Sequence, residues 1–280
     1  MIQINGKPIN VTQFPDNTHL FKCVDFQNTP SARLLYDCDA AITWKYDNDA
    51  EIFQLQCVVD YLRSNGFTKL KLHMPYVPNA RMDRTQNNEM FTLKSFAKLI
   101  NNMQFHKVIV LDIHSHVGEA LIENIVVQSP KPCIQRVINE YLPNEPLTLF
   151  FPDEGAMKRY HNIAVDLQHD FVFGMKNRDW APGNIKGLQT IGDKRFIENH
   201  NILNVDDICS KGGNFYHSAK ALKEQGAKNI YLYVSHLENA VHQGEMISSG
   251  LISHIYTTDS IYRPELAPAQ TKTPIDTVNR

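Results

Sequence analysis

Asp206 and Asp207 stand side by side between an apolar stretch, NILNV, and a turn that holds Ser210, Lys211, Gly212 and Gly213. Like charges at that spacing repel, so a pair kept at the end of a strand raises the question of what it does there. Neighbouring carboxylates can accept hydrogen bonds from adjacent hydroxyls of a sugar, and glycines let successive backbone N–H groups face a phosphate. NILNVDDICSKGGNF (residues 201–215) fits a sugar-phosphate site; it also fits an ordinary strand-to-helix junction with solvated acids.

Four other stretches carry groups with chemistry. In VLDIHSH, Asp112, His114 and His116 alternate, so a continuing strand would put them on one face, where carboxylate and imidazole can ligate a divalent ion. A histidine simply hydrogen-bonded at a strand end reads the same way. LFFPDEG offers Asp153 or Glu154 before Gly155, either to bind Mg²⁺ or to cap the next helix. HMPYVPNARMDRTQ places Arg81, Asp83 and Arg84 behind two prolines, with guanidinium forks suited to phosphate or to a salt-bridged surface loop. GMKNRDWAPGNIKG carries Lys176 and Arg178 ahead of a Pro182–Gly183 turn, an exposed hairpin or flap with two cations near its base. A charged hairpin is most often only a solvated face. LYVSHLEN adds a further histidine and glutamate at a strand end.

Alternating helix and strand patterns must position these groups. Ile52, Leu55, Val59 and Leu62 recur at helical spacing, as do Leu93, Phe96, Leu99, Ile100 and Met103. KLKLHMP and KVIVLDIH read as strands, the second as a run buried on both faces of a parallel sheet. The series restarts after QSPKP (residues 128–132), with LTLFF, NILNVDD and NIYLYVSH as strands between helical segments. This alternation predicts an α/β protein with mainly parallel sheets in two similar domains, 1–129 and 130–264, and a polar, proline-containing tail at 265–280. In such sheets ligands bind at the carboxyl ends of strands, where these motifs fall.

Bulk properties narrow the classes. The 280 residues are 42% hydrophobic with a net charge of −2, which argues for packed domains and against a basic field for nucleic acid or anionic membrane. Cys23, Cys38, Cys57, Cys133 and Cys209 are scattered without a CxxC pair, as in a reduced compartment. The first residues lack a charged-then-apolar leader, and no apolar run reaches membrane-spanning length. The expectation is a soluble, cytoplasmic chain.

Taken in order, these stretches resemble the ribose-phosphate pyrophosphokinase (PRPP synthetase) family, from QFPDNT near residue 14 to YTTDSIY ending at Tyr262. MPYVPNARMDR is similar to its Pro-Tyr-x-Pro-Tyr-Ala-Arg-Gln-Asp-Arg signature, LDIHSH to its Asp-Leu-His-Ser element, and FPDEGAMKRY to its Pro-Asp-x-Gly-Gly-x-x-Arg segment. KNR resembles the Lys-x-Arg of its flexible loop, and VDDICSKGGN its Asp-Asp-x-x-Asp-Thr-x-Gly-Thr phosphoribosyl loop. The resemblance implies two domains of the type I phosphoribosyltransferase fold and Mg²⁺-dependent transfer of the diphosphoryl group of ATP to the anomeric hydroxyl of ribose 5-phosphate. It implies Lys176, Arg178 and His114 as catalytic, His114 and Asp153 as metal ligands, and Phe14, Asp16, Arg81 and Asp83 at ATP. Asp206, Asp207, Ser210, Lys211, Gly212, Gly213 and Asn214 would hold the ribose phosphate. A homo-oligomer, dimer or hexamer, is implied as well.

Departures sit at both ends of the substrates. Asn17 and Thr18 replace a Gly and a Glu, Asn79 a Tyr and Met82 a Gln. In the phosphate loop Ser210, Lys211 and Asn214 stand for Asp, Thr and Thr. These variants look most like phage-encoded members, which would place the chain in a host cytoplasm. They leave open ADP-ribose as the acceptor, for NAD rebuilding by the same chemistry. Two further readings are a regulatory homologue without catalysis, which would lose the flexible-loop cations or metal ligands, and a PRPP-consuming phosphoribosyltransferase, which would need a base-recognition hood. Lys176, Arg178, His114 and Asp153 are all present, and no hood is evident.

Overall fold

The computed structural model describes residues 1–22, 38–178, 185–268 and 271–278, with the side chains of all of these except 176–178 and 185–189. The chain divides into two compact units, Met1–Ser129 and Pro130–Arg280.

The first unit runs β1 (Ile2–Ile4), β2 (Lys7–Pro8), β3 (Asn10–Gln13), β4 (His19–Lys22), β5 (Ala40–Trp44), α1 (Ala50–Ser64), β6 (Leu70–His73), α2 (Thr92–Asn102), β7 (Lys107–Leu111), α3 (His116–Leu121) and β8 (Ile125–Gln128). Its six-stranded sheet has the order β2-β1-β5-β6-β7-β8, parallel from β5 to β8, while β3 and β4 form a separate two-stranded hairpin. Leu55, Val59 and Leu62 of α1 and Leu93, Phe96 and Ile100 of α2 are buried against Trp44, Leu72 and Val110, so the helical stripes pack on the sheet as their spacing requires. Leu99 is the exception: it is 45% exposed, and the buried stripe of α2 runs through Ala97 instead.

The second unit runs α4 (Lys131–Arg136), β9 (Leu147–Phe151), α5 (Glu154–Asp166), β10 (Phe171–Arg178), β11 (Ile185–Ile191), β12 (Asn201–Cys209), α6 (Gly213–Glu224), β13 (Ile230–Leu237), α7 (Glu245–Ser249), β14 (His254–Thr257) and β15 (Ile275–Thr277). Its sheet has the order β11-β10-β9-β12-β13-β14-β15, with every pair parallel except β10 and β11. The central strand β12 is covered on both faces. Ile202 packs with Phe215, Ala219 and Leu222 of α6, and Leu203 and Val205 pack with Ala156, Tyr160 and Ile163 of α5. Strand alternation thus aims successive residues of NILNVDD at opposite layers.

The segment read as a polar tail is part of this sheet. Ile255 pairs with Ile275 and Thr257 with Thr277, and Val278 is 1% exposed. A short strand here covers the otherwise unpaired edge of β14. Both units are α/β, each a mainly parallel sheet with helices packed on it. Among the described residues no helix is long and apolar enough to cross a membrane.

Candidate active site

In the second unit the acid pair lies just before the carboxyl end of β12, and it has a partner that spacing did not reveal. Nη2 of Arg159, on α5, donates to Oδ1 of Asp206 at 2.8 Å and to Oδ1 of Asp207 at 2.6 Å. The Asp207 backbone N–H also donates to Asp206 Oδ1, at 2.9 Å. Exposure separates the two acids: the Asp206 side chain is 17% exposed and that of Asp207 3%. Burial and then the adjacent Asp207 push the Asp206 carboxyl well above the usual range, while Arg159 pulls it back. The guanidinium of Arg159 stays charged although buried, held by the Tyr160 ring, 5.0 Å from its Cζ, and by both carboxylates.

The turn after β12 is shaped from beneath. Gly212 has φ +79° and is the N-cap of α6, a conformation that disfavours any side chain, and Met246 packs under it. A Cβ at Gly244 would lie 1.8 Å from the Lys211 carbonyl oxygen, so the backbone before α7 presses directly on the loop. Lys211, Gly213 and Asn214 are exposed and Ser210 half-buried. Because α6 begins at Gly213, its leading N–H groups have no intrahelical acceptor and sit at the positive end of the helix dipole. Loop and helix start together form a surface that favours a phosphate.

Asp153 is the N-cap of α5 and its Oδ1 accepts from the Ala156 N–H at 3.1 Å, so the capping role of this carboxylate is realised. Lys176 and Arg178 lie on β10, opposite Leu188 and Ile185 of antiparallel β11, which is the expected hairpin; their side chains and the Pro182–Gly183 turn lie outside the described residues. The histidine of LYVSHLEN is structural. His236 is 3% exposed, with Nδ1 2.8 Å from Ser260 Oγ, while Ser260 and Thr258 hydroxyls donate to the Ser235 carbonyl.

In the first unit the alternation of Asp112, His114 and His116 does not persist. Strand β7 stops at Leu111, Asp112 turns to φ +42°, and His116 opens α3 with its side chain 96% exposed. The three therefore share no strand face. His114 is half-buried near Asp83, which is 9% exposed. Burial opposes ionisation of Asp83, but Arg84, whose Nε donates to it at 3.0 Å, outweighs burial and holds the carboxyl below the usual range. Arg81 is exposed on the same loop. Phe14, 46% exposed, and Asp16 occupy the tip of the β3–β4 hairpin. There Asp16 Oδ1 accepts from the Thr18 hydroxyl at 2.7 Å and its N–H at 3.0 Å. Thr18, which stands where the resemblance expects a glutamate, closes this turn. Among the described residues no three His, Cys, Asp or Glu converge as a metal cluster.

No family model matches the chain. A ribose-phosphate pyrophosphokinase from Thermococcus kodakarensis is 30% identical over 224 residues, 78% of this chain and 76% of that protein. The chain belongs to the ribose-phosphate pyrophosphokinase family. A second ribose-phosphate pyrophosphokinase, from Campylobacter jejuni, is 28% identical over 221 residues, 78% of this chain and 69% of that protein. The fold agrees: phosphoribosylpyrophosphate synthetase from Mycobacterium smegmatis superposes with a TM-score of 0.77 over 96% of this chain and 86% of that one, at 15% identity. The chain is accordingly an enzyme of the ribose-phosphate diphosphokinase type, with the two α/β domains of that fold.

Gly244 and Met246 escaped the sequence reading, and Arg159 was matched there only as the motif's Arg, with no role. Arg159 lies inside FPDEGAMKRY, and the signal was the acid pair itself, since buried like charges need a cation. For Gly244 no spacing signal exists, because its need comes from a carbonyl more than thirty residues away in the chain.

Proposed function

We propose that the protein transfers the β,γ-diphosphoryl group of ATP to the anomeric 1-hydroxyl of ribose 5-phosphate, yielding 5-phosphoribosyl 1-diphosphate and AMP. The observation that carries the proposal is the arrangement after β12: an acid pair at the strand end, then a glycine turn opening α6. The sugar oxygen attacks the β-phosphorus, the bond to the α-phosphate oxygen breaks, and the hydroxyl proton is released. Such a transfer mainly requires positioning and charge neutralisation. The acid pair orients the ribose hydroxyls, residues 210–214 hold the 5-phosphate, and Lys176 and Arg178 neutralise charge on the transferring group and departing AMP. Phe14, Asp16, Arg81 and Asp83 are assigned to ATP.

His114 in the first unit and Asp153 in the second are each proposed as a protein ligand for Mg²⁺. The donor set suits it: Asp153 offers a hard carboxylate oxygen at a helix start, and Mg²⁺ takes few protein ligands beside phosphate oxygens and water. Bound Mg²⁺ supplies charge neutralisation at the ATP phosphates. The protein is expected to work as a homo-oligomer, dimer or hexamer.

Ser210, exposed Lys211 and Asn214 favour a second acceptor, ADP-ribose, whose 5-phosphate carries a further phosphoryl group that a lysine can meet. Chromatography of ATP and Mg²⁺ incubated with each sugar decides. AMP with ribose 5-phosphate supports the proposal, and AMP only with ADP-ribose moves the acceptor. AMP with neither overturns catalysis and favours a nucleotide-binding homologue.

A further inference from the structure

Asp206 and Asp207 are equivalent in the sequence but not in the structure. Asp207 is nearly sealed from solvent and bound to Arg159 at 2.6 Å, whereas Asp206 keeps 17% of its side chain exposed. Of the two carboxylates, Asp206 is the one presented to solvent. One nitrogen, Nη2, bridges both Oδ1 atoms, so Arg159 fixes the two side chains relative to each other. Resting on the sugar-binding role proposed above, we infer that Arg159 is the positioning residue of the acid pair. With Asp207 as its buried counter-ion it orients Asp206, the more exposed of the two carboxylates, toward the ribose hydroxyls. Asp207 anchors that arrangement from the buried side.

The geometry excludes an incidental surface pair. The Arg159 side chain is 21% exposed, its Cζ lies 5.0 Å from the Tyr160 ring, and Tyr160 is itself 2% exposed in the core. Among the described residues the titratable and charged groups around the pair include Arg159 and Tyr160 from α5, Cys209 on β12, and Glu238 beyond β13. Cys209 is pushed up by burial and by Asp206 and Glu238, so it stays a thiol. Arg159 is therefore the cation that this set provides for the two acids. Arg159 pulls the Asp206 carboxyl down against burial and Asp207; without it the carboxyl holds its proton to still higher pH, and a protonated Asp206 presents a donor where the sugar needs an acceptor.

The test is calorimetric binding of ribose 5-phosphate and of ADP-ribose, without ATP, to wild type, Arg159→Met and Arg159→Lys, with steady-state KM for sugar and ATP alongside. Arg159→Met should weaken sugar binding about tenfold or more near pH 6, with recovery as pH rises and both acids ionise. Its KM for ATP should stay within about twofold. Arg159→Lys keeps the charge but not the planar guanidinium beside the Tyr160 ring, so the pH profile should stay near wild type while sugar affinity falls about fivefold. If Arg159→Met does not fold, Arg159→Lys and wild type decide. Unchanged sugar affinity, or an equal pH-independent loss of sugar and ATP binding, overturns the inference, as does a wild type that binds neither sugar. A wild type that binds a sugar but forms no AMP overturns the proposed reaction and leaves the binding comparison to judge Arg159.

Discussion

Two aspartates, Asp16 and Asp207, show how differently the two units build their candidate sites. Asp16 sits in an exposed turn and is bonded to Thr18, two residues on; the hydroxyl and amide of Thr18 hold its carboxyl below the usual range. Asp207 is buried at the end of a central strand, and its partner Arg159 lies 48 residues away in the chain. The first arrangement is local turn chemistry laid over a hairpin. The second is tertiary, made by a helix and a strand of one core. Changes at the first should alter ligand affinity alone, while changes at the second should couple affinity to stability.

The largest effect belongs to a residue outside this contrast and calibrates it. Lys176→Ala is expected to lower kcat by about 10³-fold or more while ATP binding stays within about twofold, because the interaction forms in the transition state. A comparable loss of ATP affinity in equilibrium dialysis would assign Lys176 to ground-state binding. His114→Ala should cost about 10²-fold in kcat/KM, and His116→Ala, on a side chain 96% exposed, should be silent in the same assay. Equal losses for the two would restore a shared-face reading of LDIHSH.

Gly244→Ala probes the tertiary site. Its Cβ would meet the Lys211 carbonyl at 1.8 Å, so the phosphate loop must shift. The expected result is a loss of about 1–3 kcal/mol in unfolding stability together with a raised KM for the sugar phosphate. A stable variant with unchanged sugar KM would show that this backbone does not shape the loop.

The smallest effects fall on the local site. Phe14→Ala and Asp16→Asn should raise the KM for ATP a few-fold, with no change in thermal midpoint. The sign with pH follows from the lowered Asp16 carboxyl: the turn is complete above the ordinary carboxyl range and is lost as pH falls through the lowered value. Thr18→Val should move that loss to higher pH, read by NMR on the turn amides. A shift in the opposite direction would mean that Thr18 does not hold Asp16.

The same contrast explains what could be read from the residues. Helical stripes such as Leu55, Val59 and Leu62, the apolar run of β12 and the glycine turn into α6 are local periodicities, and they identified the α/β architecture and the strand ends where the candidate residues fall. Where β7 stops was hidden, because the turn at Asp112 depends on a left-handed backbone that composition does not announce. Strand β15 was hidden by its polar setting, since its register comes from the open edge of β14. His236 looked functional by position and proved to be a satisfied core histidine. Arg159 was visible as a residue but not as a partner, because only the packing of α5 on β12 brings it to the acids.

The central claim is diphosphoryl transfer to a ribose 5-phosphate moiety, and ³¹P NMR of the reaction with ATP, Mg²⁺ and sugar tests it most directly. The expected spectrum shows AMP growing in step with a new sugar-bound diphosphate. Formation of ADP, or of inorganic phosphate without a sugar-bound diphosphate, would contradict it.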